Sequence, residues 1–355
     1  MRWPSVGLGE ICKPKQWKNI STKDFTTSGY SVYGANGKIG FFHEFTHEEP
    51  VILVACRGAT CGAINVTEPY SYANSNAMAL DSIDTTKIDL RYLAKYLGYR
   101  GFQDVVSGSA QPQITSENIA KVEVLLPPLG EQRRIAAILD KIDELSGADR
   151  RRQDLLKAFP LSVYRQMFGD PRHNPFQWPV FRLGEICLNE DARRVPVKSS
   201  DRKAMQGRYP YYGASGVIDH VDDYLFDGRR LLVGEDGANL IARSSPVAFI
   251  ADGKYWVNNH AHVLGENGKA KLRFLEYYFA LVDLKPFVTG SAQPKLTRSA
   301  LDSLPVPLPP LALQKRFESV LAALDARFAQ AQISARKTLS LGSALRYASF
   351  QGDAG

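Results

Sequence analysis

The sequence predicts an α+β fold of two tandem, pseudo-symmetric globules of mixed helix and strand, separated by two long α-helices that pair as an antiparallel coiled coil. Three observations predict it. The stretch G-S-A-Q-P-Q-I-T at Gly108 to Thr115 returns as G-S-A-Q-P-K-L-T at Gly290 to Thr297, 182 residues later. Further segments on either side of it recur in the same order. After each globular stretch, apolar residues switch to the alternating three- and four-residue spacing of a helix seam.

The repeat organises the chain. Trp3-Pro4 and Gly9-Glu10-Ile11-Cys12 recur as Trp178-Pro179 and Gly184-Glu185-Ile186-Cys187, an offset of 175. Tyr33-Gly34-Ala35-Asn36-Gly37 recurs as Tyr212-Gly213-Ala214-Ser215-Gly216 at an offset of 179, and Gly58-Ala59 as Gly237-Ala238 at the same offset. Leu90-Arg91-Tyr92-Leu93 matches Leu272-Arg273-Phe274-Leu275, and Pro127-Pro128-Leu129 with Gln132 matches Pro309-Pro310-Leu311 with Gln314, both at 182. The order is kept and the offset drifts by a few residues, so short loop insertions account for the difference.

Within each half the elements follow one order. The first hundred residues are rich in Gly, aromatic and β-branched residues, and short runs such as Val51–Val54 and Leu231–Val233 suit buried strands. A short helix is predicted at Leu90–Leu97 and at Leu272–Phe279. The repeated loop comes next, then a strand at Val122–Leu126 or Leu304–Leu308, stopped by a Pro-Pro turn. From Glu131 to Phe159 there is no Pro, and Ile135, Ile138, Ile142, Leu145, Leu156 and Phe159 mark a seam in which Asp149 and Arg152 occupy intervening positions. Pro160 can begin a further helical segment or kink this one. Phe317, Leu321, Leu324, Phe328, Ala331 and Ala335 give the second seam. The boundaries expected are a first globule at 1–129, a central helix at 130–168, a linker at 169–177, a second globule at 178–311 and a closing helix at 312–350. A helix of 29 residues spans about 43 Å, of the order of the roughly 34 to 36 Å between half-sites one duplex turn apart.

Composition bounds the function classes. The 355 residues carry 44% hydrophobic and 23% charged side chains, within the range of a globular chain, and the 44 Lys and Arg exceed the 37 Asp and Glu by seven. That excess suits a polyanionic partner without requiring one. Cys12, Cys56, Cys61 and Cys187 fit no C-x-x-C or zinc-finger spacing, so reduced structural thiols are expected. No apolar run approaches the roughly 18 residues of a bilayer span, and the N-terminus does not read as a signal peptide, so a cytoplasmic protein with no membrane partner is expected.

Catalytic motifs are missing from the sequence. There is no G-x-x-x-x-G-K-[ST], H-E-x-x-H or G-x-S-x-G. His260-Ala261-His262 places two His on one strand face, but no second ligand cluster accompanies them and the first half has Asn76 and Met78 in the aligned places. Asn174-Pro175-Phe176 is similar to the N-P-P-aromatic motif of amino-methyltransferases but lacks the second Pro and sits in the linker, where a turn explains it. No catalytic residue and no metal ligand is expected in this chain.

G-S-A-Q-P-x-[IL]-T, the strand ending in Leu-Pro-Pro-Leu, the helix E-Q-R-R-I-A-A-I-L-D-K-I-D at Glu131 to Asp143 and the G-A-x-G segments resemble the specificity subunit of Type I restriction-modification systems. The resemblance covers both halves, although Leu313-Gln314-Lys315-Arg316 replaces Glu131-Gln132-Arg133-Arg134. It implies that each globule is a target recognition domain reading one part of a bipartite, asymmetric sequence in double-stranded DNA. It also implies that the paired helices set the gap and dock two methyltransferase subunits, and that two restriction subunits can join them. S-adenosylmethionine, Mg2+ and ATP are then cofactors of the partner subunits, with none in this chain. Related arrangements, in which recognition serves a combined methyltransferase-nuclease of the Type IIB or IIG kind, share these features. A stand-alone DNA methyltransferase or nuclease and a protein-only coiled-coil scaffold are the other classes.

Base reading needs donors and acceptors on groove-facing loops, and phosphate binding needs Lys and Arg. The DNA-binding candidates are Asn36, Lys38, Arg57 and Thr60 in the first half and Arg229, Arg230 and Asn239 in the second. A base-reading residue should differ between domains that read different half-sites. Gln111 and Gln293, in the nearly unchanged loop, are therefore assigned to fold support or subunit docking, as are Gln132, Arg133, Arg134 and Gln314.

Overall fold

The computed structural model describes residues 3–108, 111–290 and 293–351. Of the repeated loop, Ser109-Ala110 and Ser291-Ala292 lie outside the described residues. The chain forms two compact units: unit 1 comprises Met1–Arg151 together with Ile333–Gly355, and unit 2 comprises Arg152–Gln332. Each unit has both sheet and helix, and each holds part of both long helices.

In unit 1 the apolar run lies centrally in an antiparallel sheet. Its order is Lys13–Gln16, Ala77–Asp81, Ile52–Ala55 and Ile64–Val66. Ile52, Leu53, Val54 and Ala55 are all fully buried, as the unbroken apolar run requires of a strand covered on both faces. A second sheet runs Gly37–Phe42, Tyr30–Gly34, Ser71–Ala73, the last pair parallel. The helix Leu90–Arg100 starts at Asp89, whose carboxylate accepts from the Arg91 and Tyr92 amides, and buries Tyr92, Leu93, Tyr96 and Leu97. Unit 2 repeats this plan. Cys187–Asn189, Ala261–Glu266, Arg230–Gly234 and Ala248–Ala251 form one sheet, Gly216–Val221, Gln206–Gly213, Lys254–Val257 and Phe226–Asp227 the other, with the helix Leu272–Leu281 alongside.

The central helix runs Leu129–Phe168 and the C-terminal helix Leu311–Gln351. Pro160 lies inside the first and does not end it. In each unit the two helices pack antiparallel. Unit 1 joins Asp143 to Arg346 and Asp149 to Thr338, and unit 2 places Lys157 over the Phe328 ring and Phe168 against Phe317. Ile135, Ile142, Phe317 and Leu321 are buried as the seam requires, but Leu145 and Phe159 are 46% and 52% exposed. The expected seam fails at those two because the contact passes to neighbours: Asp149 is buried against Thr338, and beyond Pro160 the contacts are made by Tyr164 and Phe168.

The ends of the helices are used reciprocally. Phe350, 4% exposed, closes the unit 1 core among Tyr92, Tyr96 and Tyr99, with ring centroids 5.9, 5.4 and 5.0 Å away. Phe168, 182 residues earlier, does the same in unit 2 beside Phe274 and Phe317 at 5.1 and 5.2 Å. Where each long helix starts, Gln132 and Gln314 are fully buried. Gln132 accepts from the Asp89 amide at 2.8 Å and donates to the carbonyls of Lys87 and Pro127 at 2.9 and 2.8 Å. Gln314 accepts from the Lys271 amide at 2.8 Å and donates to Lys269 and Pro309 at 3.4 and 2.8 Å. One buried amide side chain thus satisfies three backbone groups where helix, loop and Pro-Pro turn meet.

Candidate nucleic-acid interface

In each unit four loops converge at one end of the sheets, held by backbone hydrogen bonds that are the same in both. In unit 1 the Gly34–Gly37 turn is tied to the next loop by the Asn74 amide, which donates to Tyr33 at 2.8 Å, and to Asn65, whose side chain donates to Ala35 at 3.3 Å. Past the strand Ile52–Ala55, the Cys56 amide donates to Asn76, Gly58 to Pro112 and Ile114 back to Cys56, at 3.2, 3.2 and 3.0 Å. In unit 2 the counterparts are Asn258 to Tyr212, Glu235 to His260, Gly237 to Pro294 and Leu296 to Glu235, at 3.1, 2.9, 2.9 and 2.8 Å.

The repeated loop is the clip of this assembly. Ser107 and Gln113 exchange both backbone hydrogen bonds at 2.9 Å, and Thr289 and Lys295 do so at 2.9 and 2.7 Å. Gly108 and Gly290 turn the chain with φ of +85° and +82°, and a Cβ on either would sit 2.6 Å from the carbonyl oxygen of Gln111 or Gln293. Only Gly fits that turn without strain. Gln111 and Gln293 themselves are exposed.

Of the expected DNA-binding residues, Asn36, Lys38, Arg57 and Thr60 are exposed on or beside these loops. Lys38 leans on the Phe41 ring at 4.4 Å and lies 3.8 Å from Glu68. Arg229 and Arg230 are elsewhere. They sit where the strand Arg230–Gly234 begins, and the loops join it where it ends. Arg229 is paired with Asp252 at 3.1 Å and Arg230 with Glu190. Asn239 is in the loop region, but its amide accepts from the Ser245 amide at 3.0 Å and the Ser244 hydroxyl at 3.1 Å and donates to the Ser245 carbonyl at 3.0 Å, so it closes its own turn. Beside the buried Gln132, Arg134 is bound by Glu131 at 2.7 Å, whereas Arg133 projects outward with 64% of its side chain exposed.

Sequence reasoning named Arg57 as a DNA-binding candidate but not its two neighbours in unit 1, nor any of the three equivalent positions in unit 2. Asn76 and Gln113 flank Arg57 in unit 1, and His260 and Lys295 flank Asp236 in unit 2. The signal was present: Gln113 and Lys295 stand at one of the two places where the repeated octapeptides differ.

Beneath the unit 2 face lies a buried polar network. His262 is bound by Asp191 at 2.6 Å and by the Leu296 carbonyl at 2.8 Å, and Arg194 donates to Glu235 at 2.7 Å. Burial acts to raise the carboxyl groups of Asp191 and Glu235, but His262 beside the first and Arg194 beside the second outweigh it and hold both below the ordinary range. Among the described residues, Asp191, Glu235 and His262 are the set close enough to share a cation, with ligand atoms within 4.8 Å. Arg194, also 3.4 Å from Asp191, already supplies positive charge to both carboxylates. In unit 1 the same place holds Gln16, Cys56 and Met78, with Gln16 donating to the Cys56 sulfur at 2.9 Å. The two faces share a frame and differ in what fills it.

The sequence model of the Type I restriction modification DNA specificity domain matches residues 2–158 and 175–336. The chain is similar to a putative type I restriction enzyme specificity subunit of Haemophilus influenzae, 40% identical over 146 residues, which are 41% of this chain and 36% of that protein. It is also similar to the EcoprrI specificity subunit of Escherichia coli, 28% identical over 40% of this chain and 36% of that one. The chain thus aligns with about a third of the length of those two relatives. A putative type I specificity subunit of Mycoplasma pneumoniae aligns over 94% of this chain and 92% of its own length at 23% identity. The fold matches that of the Type-I restriction-modification S subunit from M. genitalium with a TM-score of 0.67 at 16% identity, covering 99% and 96% of the two chains. No helix among the described residues is long and apolar enough to cross a membrane.

Proposed function

The chain belongs to the Type I restriction modification DNA specificity family, and from that membership we propose that its two loop faces read the two parts of a bipartite, asymmetric site in double-stranded DNA. The observation that carries this reading is the doubled face: one backbone frame, clipped identically in both units, bearing different exposed side chains. An interaction that needed the same partner surface twice would keep those side chains alike. A bipartite, asymmetric target needs the frame kept and the side chains changed.

In this reading the chain binds DNA and catalyses nothing. Lys and Arg around the faces contribute affinity that does not depend on sequence, and loop side chains discriminate base edges. Two methyltransferase subunits dock on the chain and bring S-adenosylmethionine, and restriction subunits bring ATP and Mg2+. The two long helices set the gap between the half-sites. The buried Gln132 and Gln314 support this division of labour, since each fastens a helix start rigidly to its own globule.

Copurification with a methyltransferase subunit, followed by methylome sequencing with and without the gene, tests the proposal. A bipartite methylated motif that disappears on deletion is expected. Persistence of every methylated motif, or methyl transfer by the isolated chain, would refute it. DNA binding by the complex is also expected to weaken steeply from 50 to 200 mM salt, whereas a protein-only scaffold would show no binding at either.

A further inference from the structure

We propose that three structurally equivalent positions make the two faces read different bases: Arg57, Asn76 and Gln113 in unit 1, against Asp236, His260 and Lys295 in unit 2. The inference rests on the reading that the loop faces bind DNA, and it names the side chains that discriminate.

Equivalence follows from the backbone. Arg57 and Gln113 form a β-bridge, and Asp236 and Lys295 form the same bridge in unit 2. Asn76 receives the Cys56 amide and His260 receives the Glu235 amide at the corresponding place. Each trio is therefore held at the same points of one frame, with the repeated loop supplying one member of it.

Their chemistry differs at all three, and in sign at the first. Arg57 is exposed, and no carboxylate among the described residues pairs with it, whereas Arg229 and Arg230 are held by Asp252 and Glu190. A free guanidinium fork donates to guanine O6 and N7, and the two exposed amides beside it, Asn76 and Gln113, can each accept from adenine N6 while donating to adenine N7. Unit 2 has a carboxylate where unit 1 has the guanidinium. Asp236 is bound by His260 Nδ1 at 2.8 Å, which fixes the ring and leaves Nε2 to face outward, with 48% of the His260 side chain exposed. Lys295 is steadied by Glu235 at 3.2 Å and remains half exposed. A base edge of acceptors, as guanine presents in the major groove, is attracted at the first position and repelled at the second. A base that donates an amine, cytosine or adenine, has the reverse preference. An asymmetric target follows from this reversal.

The test is selection of duplexes from a random-sequence library by the chain complexed with its methyltransferase subunit, at one fixed salt concentration. The wild-type complex should select a bipartite motif. R57A, and separately N76A and Q113A, should each relax one half of it, R57A by roughly ten- to a hundredfold at one base pair, and leave the other half intact. D236R/H260N/K295Q should change the opposite half and only that half. The proposal is overturned if a wild-type motif emerges and every variant keeps it, or if the two sets of substitutions alter the same half. Failure of the wild-type complex to select any motif would remove the DNA-reading function itself, and this inference with it. Five of the six positions are exposed and Asp236 is partly buried with 18% of its side chain accessible, and unchanged thermal midpoints of the variants separate lost reading from lost folding.

Discussion

Truncating Phe350 to Ala should loosen unit 1 and leave unit 2 intact. The ring is 4% exposed and has three tyrosines within 6 Å. Removing a buried Phe side chain costs roughly 3 to 5 kcal/mol, depending on how far the site collapses. Phe350 lies one residue from the end of the helix Leu311–Gln351, where the backbone can settle into the space, so the lower end, about 3 kcal/mol, is expected. At about 1.4 kcal/mol per tenfold, that is roughly a hundredfold loss of protection against amide exchange. A single unfolding midpoint would blur two units with separate cores, so exchange read by mass spectrometry on peptides is the suitable assay. Peptides covering Leu90–Arg100 should lose protection while those covering Leu272–Leu281 keep it. Phe168→Ala should give the opposite pattern, because its ring packs on Phe274 and Phe317. Equal loss in both peptides, or unchanged protection of Leu90–Arg100 in the Phe350 variant, would refute the reciprocal use of the helix ends.

Three further outcomes are expected. Gln132→Leu strands one amide and two carbonyls, and at roughly 1 to 3 kcal/mol for each orphaned buried group it should lower unit 1 stability by at least about 2 kcal/mol in urea; a neutral result would mean that water replaces the side chain. Burial and nearby Asp81 push the Cys12 thiol up to about 12, and burial and Asp302 do the same for Cys187. Neither should be alkylated by iodoacetamide at pH 8 in the native protein, while the partly buried Cys61 should react first, as peptide mass spectrometry would show. The hydrogen bond from Arg172 holds the Asp170 carboxyl down at about 2, against an ordinary 3.8. A depressed carboxyl stabilises the fold fully above 3.8 and loses that contribution as pH falls towards 2, so Arg172→Ala should lower the unfolding midpoint only slightly at pH 7, solvent screening the partly exposed pair. That loss should fade near pH 2, and a loss that persists there would assign it to packing.

Much of the fold was legible because the chain states it twice. The repeat locates both globules, and the helices at Leu90 and Leu272 start where the spacing places them. The seams were legible only in part. Three- and four-residue spacing marks a helix face but cannot tell which partner meets it, so Leu145 and Phe159 were placed in a contact that passes them by. Pro160 left a choice between a new helix and a kink; the assigned helix runs through it, and Tyr164 and Phe168 just beyond are anchored in aromatic contacts. At the candidate site, composition drew attention to Arg229 and Arg230, whose carboxylate partners lie about 20 and 40 residues away in sequence. Ion pairs between distant segments leave no local pattern. Gln113 and Lys295 were legible in principle, as a difference inside a sameness, but only the backbone bridges show that they stand beside Arg57 and Asp236.

The reciprocal helix ends also set an order of events during synthesis. Unit 2 is one continuous stretch, Arg152–Gln332, whereas unit 1 needs Ile333–Gly355 as well as Met1–Arg151. At translation rates of about 5 to 20 residues per second, the first globule would wait on the order of 10 to 40 s between the emergence of its own residues and the arrival of Phe350. Through that interval Tyr92, Tyr96 and Tyr99 stand without the ring that covers them. The half made first is then the half completed last, and a ribosome stalled before the final helical turns releases a chain whose second unit can be finished while its first is still open.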